Sequence, residues 1–251
     1  MISLPMYDVC QQETRRLTDE ISRRLREQGF GISETRSLRP VDLPEHWQSG
    51  HLLLSQSCGF PLMTTLNNVR TVGCFHYSAA GCCGPQYRSY FMARAEDRHK
   101  TPEDFEGKRL VCNSSDSQSG YNVWTARLSA ERPLTVFFSG VSFSGSHRQS
   151  LQALQQQRAD ITAIDCVSLA LFERHLPQML QGLMIVGESP LTPGLPLITA
   201  GRTSDQQLTT LRTTLMAITS DPACHELCER LLIQGFSAIE RQAYQRLLTS
   251  H

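Results

Sequence analysis

The sequence predicts an α/β protein, and three observations carry that prediction. Short apolar runs of strand length alternate with amphipathic helical patterns along the chain. Helix starts are marked by caps, prolines and first-turn acids, and a glycine marks at least one stop. The chain has 251 residues, enough for one large domain or two small lobes around a buried core. This alternation reads as mostly parallel sheets, which bind ligands at the carboxyl ends of strands, where helices begin.

The elements follow in order. "ISLPM" (2–6) is a strand, and residues 11–28 form a helix with Leu17, Ile21 and Leu25 on one face and Gly29 as its stop. "HLLLS" (51–55), "TVGCF" (71–75) and "SYFMAR" (89–94) are strands. Thr101-Pro102-Glu103-Asp104 opens a short helix with a cap, a proline at the first helical position and acids in the first turn. "KRLVCN" (108–113) is a strand, a helix runs near 119–130, and "LTVFFSGV" (134–141) is a strand. A capped helix follows "SGSH" with Leu151 and Leu154 inward; then come the strand "DITAIDC", a helix at 166–175, and the strands "GLMIVGES" and "GLPLITAG". The tail from Ser204 is helical, with further helices starting at Asp221-Pro222 and at Ile239. Trp47 and Trp124 sit in apolar helical patterns and belong to the core. If the chain forms two lobes, the joins fall near Met92–Arg94 and Gly187–Ser189. Residues 1–93 with 188–251 then form one lobe and 94–187 the other.

Composition limits the function. Hydrophobic residues are 40% and charged residues 19%, and Lys+Arg 24 balance Asp+Glu 24. A neutral chain without a basic stripe is not built for nucleic acid or for an anionic membrane surface. No apolar run has the length of a membrane helix. The start has neither a basic n-region nor a long apolar stretch, so the chain reads as cytoplasmic as it stands, or periplasmic if a leader has been removed. Nine cysteines, most in apolar runs, read as buried reduced thiols. Cys82-Cys83 and Cys224/Cys228 are the pairs that a metal would use. No C-x2-C motif and no suitably placed histidine completes a zinc site, so neither metal nor cofactor is expected.

The stretch "VCNSSDSQSGYNVW" (111–124) holds the clearest chemistry. Four serines, an aspartate and a glutamine stand between a buried strand and a helix. Backbone N–H groups at a helix start, the positive end of the helix dipole and several hydroxyls make a site for a small oxyanion without a lysine. Gly120 lets the backbone approach closely. The alternative is a serine-rich cap with nothing bound. A second junction, "FSGVSFSGSHRQS" (138–150), places Ser144, Ser146 and His147 between a strand and a helix, and His147 can donate to an oxyanion or simply stand beside a cap. Asp165 ends a buried strand before a helix. It is either a helix cap or an acceptor for the acid proton of a monoprotonated phosphate or phosphonate, a proton that sulfate lacks at neutral pH. Gln56 and Ser57, at the end of the strand in "LLLSQSCGFPL", face the same kind of edge, as does the hydroxyl of Tyr7. "HYSAAGCCGPQYRSY" (76–90) is a Gly- and Cys-rich loop or a closing rim.

These motifs together resemble the phosphonate/phosphate-type substrate-binding proteins of ABC transporters. The resemblance rests on "EDFEGKRLVCNSSDSQSGYNVW", "FSGSHRQSLQALQQQRADITAIDC" and "SPLTPGLPLI", in that order, and covers about Leu52 to Ile198. It implies a two-lobed type 2 periplasmic-binding fold with two crossover strands and the ligand in the cleft between lobes. It implies that Ser117, Gln118, Ser119 and His147 touch the anion, with Tyr87 at the cleft edge, and that an ABC permease is the partner. The chain departs from relatives that bind aminoalkyl phosphonates, which carry acids for the amine; Leu195 and Val167 stand here. Gln118 replaces a common threonine. The implied ligand is therefore phosphate, phosphite or a simple phosphonate, and the protein has no catalysis. The alternative is a cytoplasmic enzyme or ligand sensor on the same fold, with Cys58 or Cys82 as nucleophile and His76 or His147 as base.

Overall fold

The computed structural model describes residues 1–32, 42–128 and 132–248. Its strands are β1 (Ile2–Ser3), β2 (Leu54–Gln56), β3 (Val69–Tyr77), β4 (Gln86–Tyr87), β5 (Ser89–Arg94), β6 (Arg109–Cys112), β7 (Gly140–Phe143), β8 (Ile161–Asp165), β9 (Leu183–Glu188), β10 (Thr192–Pro193), β11 (Pro196–Ala200) and β12 (Ile233–Ser237). The chain divides into two compact units. The first holds Met1–Ser78, Cys83–Gln86 and Pro193–Gln245; the second holds Ala79–Cys82, Tyr87–Thr192 and Arg246–His251.

The first unit is built on a sheet in the order β1-β2-β11-β3-β12. β1 and β2 run parallel, and the other neighbours are antiparallel. Helix α1 (Gln11–Glu27) buries Leu17, Ile21 and Leu25 and ends at Gly29 with φ +87, as its periodicity and glycine stop predict. Its outer face is laced by ion pairs such as Arg23–Glu20. Helix α2 (Leu43–Gln48) starts on Asp42, whose carboxylate accepts from Glu45 N, and buries Trp47. Every residue of β11 is buried, which fits a strand paired on both sides.

The second unit has a sheet in the order β7-β6-β8-β5-β9. β6 pairs in parallel with β7 and β8, while β5 is antiparallel to both β8 and β9. Its core gathers Phe91, Phe105, Leu110, Val123, Trp124, Leu134, Phe137, Phe138 and Ile161. Trp124 is the centre of it, with its ring 4.4 Å from Phe91 and 5.2 Å from Phe138. The turn Pro102–Phe105 carries the expected start: Thr101 N–H donates to Asp104 Oδ2 at 2.7 Å, completing a capping box.

Several expectations are corrected. The sheets are mixed rather than mostly parallel: in the second unit β6, β7, β8 and β9 share one direction and β5 runs against them, and in the first β11 and β12 run against β1, β2 and β3. The joins expected at Met92–Arg94 and Gly187–Ser189 fall inside β5 and at the end of β9. β5 is hydrogen-bonded on both sides, so it is an interior strand and not a hinge. The unit boundaries fall instead within β4, between Gln86 and Tyr87, and within β10, between Thr192 and Pro193, with further crossings on either side of Ala79–Cys82 and after Gln245. The strand expected at 134–141 is a helical turn, Leu134–Phe137, followed by β7. Leu134, Phe137 and Phe138 are all buried at i, i+3 and i+4, a helical spacing hidden in a β-prone composition. The helix expected from Asp221 is a short turn leading into the helix His225–Arg230, and the tail expected to be helical from Ser204 also contains the strand β12, whose pairing with β3 is a long-range contact that local pattern does not encode.

Candidate functional site

The second unit places its polar residues at the carboxyl ends of β6, β7 and β8. After β6, the chain does not enter an α-helix directly. Residues Gln118–Asn122 form a π-helical turn, with Asn122 N–H donating to Ser117 O at 3.0 Å, before the α-helix Val123–Leu128. Such widened turns recur at functional sites because they turn side chains out of the usual helical register. Ser117 caps the turn, its Oγ accepting from Gly120 N at 3.0 Å. Gly120 is required: a Cβ there would lie 1.9 Å from Asn113 Oδ1. Trp124, one helical turn on, anchors the segment in the core.

The turn presents Ser119 to the helix that follows β7. Ser119 Oγ lies 3.1 Å from His147 Nε2, and the same nitrogen is 3.3 Å from Asp165 Oδ2 at the end of β8. The other oxygen of Asp165 accepts from Ser168 N at 2.8 Å. Of the two roles that the sequence left open for Asp165, the helix cap is present. Ser117, Gln118 and Ser119 are buried, and the His147 side chain is 13% exposed. The serines of the second junction serve locally: Ser146 Oγ accepts from Gln149 N, and Ser144 Oγ meets Ser150 Oγ at 2.7 Å. The structure therefore brings Ser119, His147 and Asp165 into contact, with Ser117 and Gln118 in the same turn. Asn113, against Gly120, was not among the expected residues; its signal is its place directly after β6.

Burial holds His147 below the ordinary histidine value of 6.5, with the Asp165 carboxylate pulling the other way. The ring is thus neutral at neutral pH. Burial also lowers His46, in the first unit, and His76. A histidine kept neutral in the fold and protonated when unfolded makes unfolding take up a proton. Stability is then fully present above pH 6.5 and falls as pH drops below that value toward the depressed folded values. The melting temperature should decline in that window, above the range where the paired carboxylates titrate, and His147→Asn should flatten part of the decline. A melting temperature unchanged or rising as pH falls below 6.5 contradicts this reading.

A serine, a histidine and an aspartate in contact suggest a hydrolytic triad, but the atoms do not make one. A relay needs the serine on one ring nitrogen and the carboxylate on the other. Here both meet Nε2, which cannot accept from Ser119 and donate to Asp165 at once, and Nδ1 is buried with no hydrogen-bond partner. The cysteine alternative fares no better. His76 Nε2 pairs with Ser237 Oγ at 2.8 Å, and His147 pairs with Ser119 and Asp165, so neither expected base is on a cysteine. Among the described residues no group of three or more His, Cys, Asp or Glu side chains could hold a metal ion. No described helix is long and apolar enough to cross a membrane.

The remaining expected residues lie elsewhere. Tyr87, on β4, is buried in the second unit, and its carbonyl accepts from Thr192 Oγ1 at 3.4 Å. In the first unit, Gln56 Nε2 donates to Tyr77 Oη at 3.1 Å, and the Tyr7 ring meets Tyr77 edge-on at 5.1 Å. Ser57 Oγ is buried without a hydrogen-bond partner. Tyr77 joins this group because β3 runs two residues past the expected end of the strand at Phe75.

Two α/β units with polar side chains gathered at strand ends define the class of the type 2 periplasmic binding proteins. Residues 51–244 match the family described as ABC transporter, phosphonate, periplasmic substrate-binding protein, and the chain belongs to that family. The family is a substrate-binding component of transporters and not an enzyme. Among solved structures, the chain is similar to PhnD1 from Prochlorococcus marinus in complex with methylphosphonate, with a TM-score of 0.80 and 14% identity over 99% of this chain and 96% of that one. It is similar to a binding protein component of an ABC phosphonate transporter from Pseudomonas aeruginosa, with a TM-score of 0.77 and 16% identity over 99% of this chain and 84% of that one. XAC2383 from Xanthomonas citri bound to ATP matches with a TM-score of 0.72 and 17% identity over 100% of this chain and 96% of that one. No curated protein matches the chain in sequence.

Proposed function

We propose that this protein binds a small tetrahedral oxyanion without an amine, namely phosphate, phosphite or a simple alkylphosphonate, and passes it to an ABC permease. The observation that supports this most is the uncharged donor set of the second unit: Ser117, Gln118 and Ser119 on a π-helical turn, with a neutral His147 against Ser119. Fixed neutral donors at strand ends suit a tetrahedral anion. Asp165 Oδ2, beside His147, offers an acceptor for the acid proton of a hydrogen phosphate or hydrogen phosphonate. Sulfate would leave that acceptor facing another acceptor. Leu195 and Val167 supply no carboxylate for an ammonium group. Tyr87, Gln56 and Tyr7 are further proposed ligand contacts. The structural relatives carry methylphosphonate in one case and ATP in another, so both belong in the test.

The test is a melting screen with phosphate, phosphite, methylphosphonate, sulfate, 2-aminoethylphosphonate and ATP. A ligand at a hundredfold excess over its dissociation constant stabilises the native state by about 2.7 kcal/mol. The expected result is a clear upward shift with at least one of the first three and none with sulfate. A shift with ATP or 2-aminoethylphosphonate alone, or with none of the six, refutes the proposed ligand class.

A further inference from the structure

The strand-to-helix junction that supplies Asp165 carries, one residue on, a thiol that oxyanion binding does not use. Cys166 is the first residue of the ten-residue helix Cys166–His175 and is 1% exposed. Its Sγ lies 3.4 Å from the Sγ of Cys82, in the loop Ala79–Cys82 of the same unit. Cys82 is partly exposed, and neither Cys82 nor Cys166 is in a disulfide. Two contacts hold the thiols together. Gly81 has φ +93, and a Cβ on it would sit 2.7 Å from the Tyr90 hydroxyl and 3.1 Å from Cys166 Cβ, so the loop lies on this helix start only because that residue is glycine. The backbone N–H of Cys166 donates to Arg88 O at 2.9 Å, tying the helix start to the segment after the loop.

We propose that Cys82 and Cys166 form a thiol–disulfide exchange site, closed to an intramolecular disulfide by small disulfides such as oxidised glutathione and reopened by small dithiols. The partly exposed Cys82 meets the reagent. Its thiolate attacks one reagent sulfur, forming a mixed disulfide and expelling a thiolate. The Cys166 thiolate then attacks the Cys82 sulfur, forming the internal bond and expelling the second thiolate. Two protein S–H bonds and the reagent S–S bond are lost; one protein S–S bond forms, and the two protons leave on the two reduced reagent thiols. Closing to a bonded separation of roughly 2.0 Å shortens a contact already made at 3.4 Å. The surroundings select this pair. The hydrogen bond from Cys82 lowers the Cys166 thiol below its ordinary value, against burial and the Asp165 charge, and the helix N-terminus favours a thiolate there. Burial instead pushes Cys74 and Cys112 up to about 12 and Cys228 up to about 11. The exchange does not depend on the identity of the oxyanion.

The folded protein is incubated with oxidised glutathione, capped with iodoacetamide, digested without reduction and read by mass spectrometry. The expected product is a peptide pair joined through Cys82 and Cys166, two hydrogens lighter than the separate peptides. In the Cys83→Ser variant the thiol count of the denatured protein should fall by two through this pair, and dithiothreitol should restore it. Cys83→Ser should leave the cross-link intact, and Cys166→Ser should stop the reaction at a glutathione adduct on Cys82. A wild-type adduct that persists on Cys82, a link through Cys83, or no linked peptide once the exposed Cys83 has been modified would each overturn the proposal.

Discussion

Trp124→Ala should destabilise the second unit by about 3–5 kcal/mol, the range for truncating a fully buried large aromatic. The indole is 0% exposed and bridges Phe91 on β5 to Phe138 after the helical turn. It therefore ties the sheet to the segment that carries the π-helical turn. The loss should also reach the site, because the donors of 117–119 stand one turn before it on the same continuous stretch of helix. Trp124→Phe makes the control. The indole nitrogen is buried without a partner, so losing it removes an unsatisfied donor while most of the packing stays. Urea unfolding should show a large drop in midpoint for alanine and a much smaller one for phenylalanine. A loss below about 1 kcal/mol for the alanine variant would mean that the core of this unit lies elsewhere.

The second large effect is on binding. His147→Ala should weaken binding of the stabilising oxyanion by about ten- to a hundredfold, corresponding to about 1.5–3 kcal/mol for a hydrogen bond to a charged partner. The imidazole is the meeting point of the cluster, touching Ser119 and Asp165 through one nitrogen. Its removal deletes a proposed ligand donor and leaves the buried Asp165 Oδ2 without its partner. Ser119→Ala should cost about tenfold, since a neutral hydroxyl is the weaker donor. Calorimetric titration checks both, with circular dichroism to show that the variants fold. Binding unchanged in both variants would remove these residues from the site.

The sequence was legible where chemistry is local. The cap at Thr101, the glycine stop of α1 and the serine-rich junction before Gly120 each specify geometry within a few residues, and each is found. The motif order sufficed to identify the family. What could not be read depends on distant partners. β5 looks like a strand at the margin of a lobe until β8 and β9 are seen to pair on its two sides. The stretch 134–137 is rich in β-prone residues, and only the common burial of Leu134, Phe137 and Phe138 reveals a helical turn. The resemblance implied that Ser119 and His147 share a ligand, and Asp165 was read only from its place at a strand end; their mutual contact depends on three strand ends meeting. No spacing along the chain fixes which nitrogen of His147 both neighbours would share. That shared nitrogen is also what separates this cluster from a catalytic triad.

The crystal structure of the protein grown with saturating methylphosphonate tests the central claim most directly. The account predicts phosphonate oxygens at hydrogen-bond distance from Ser119 Oγ and the His147 ring, with no lysine or arginine in contact. Phosphonate density seated elsewhere, or held chiefly by a guanidinium or ammonium group, would contradict it.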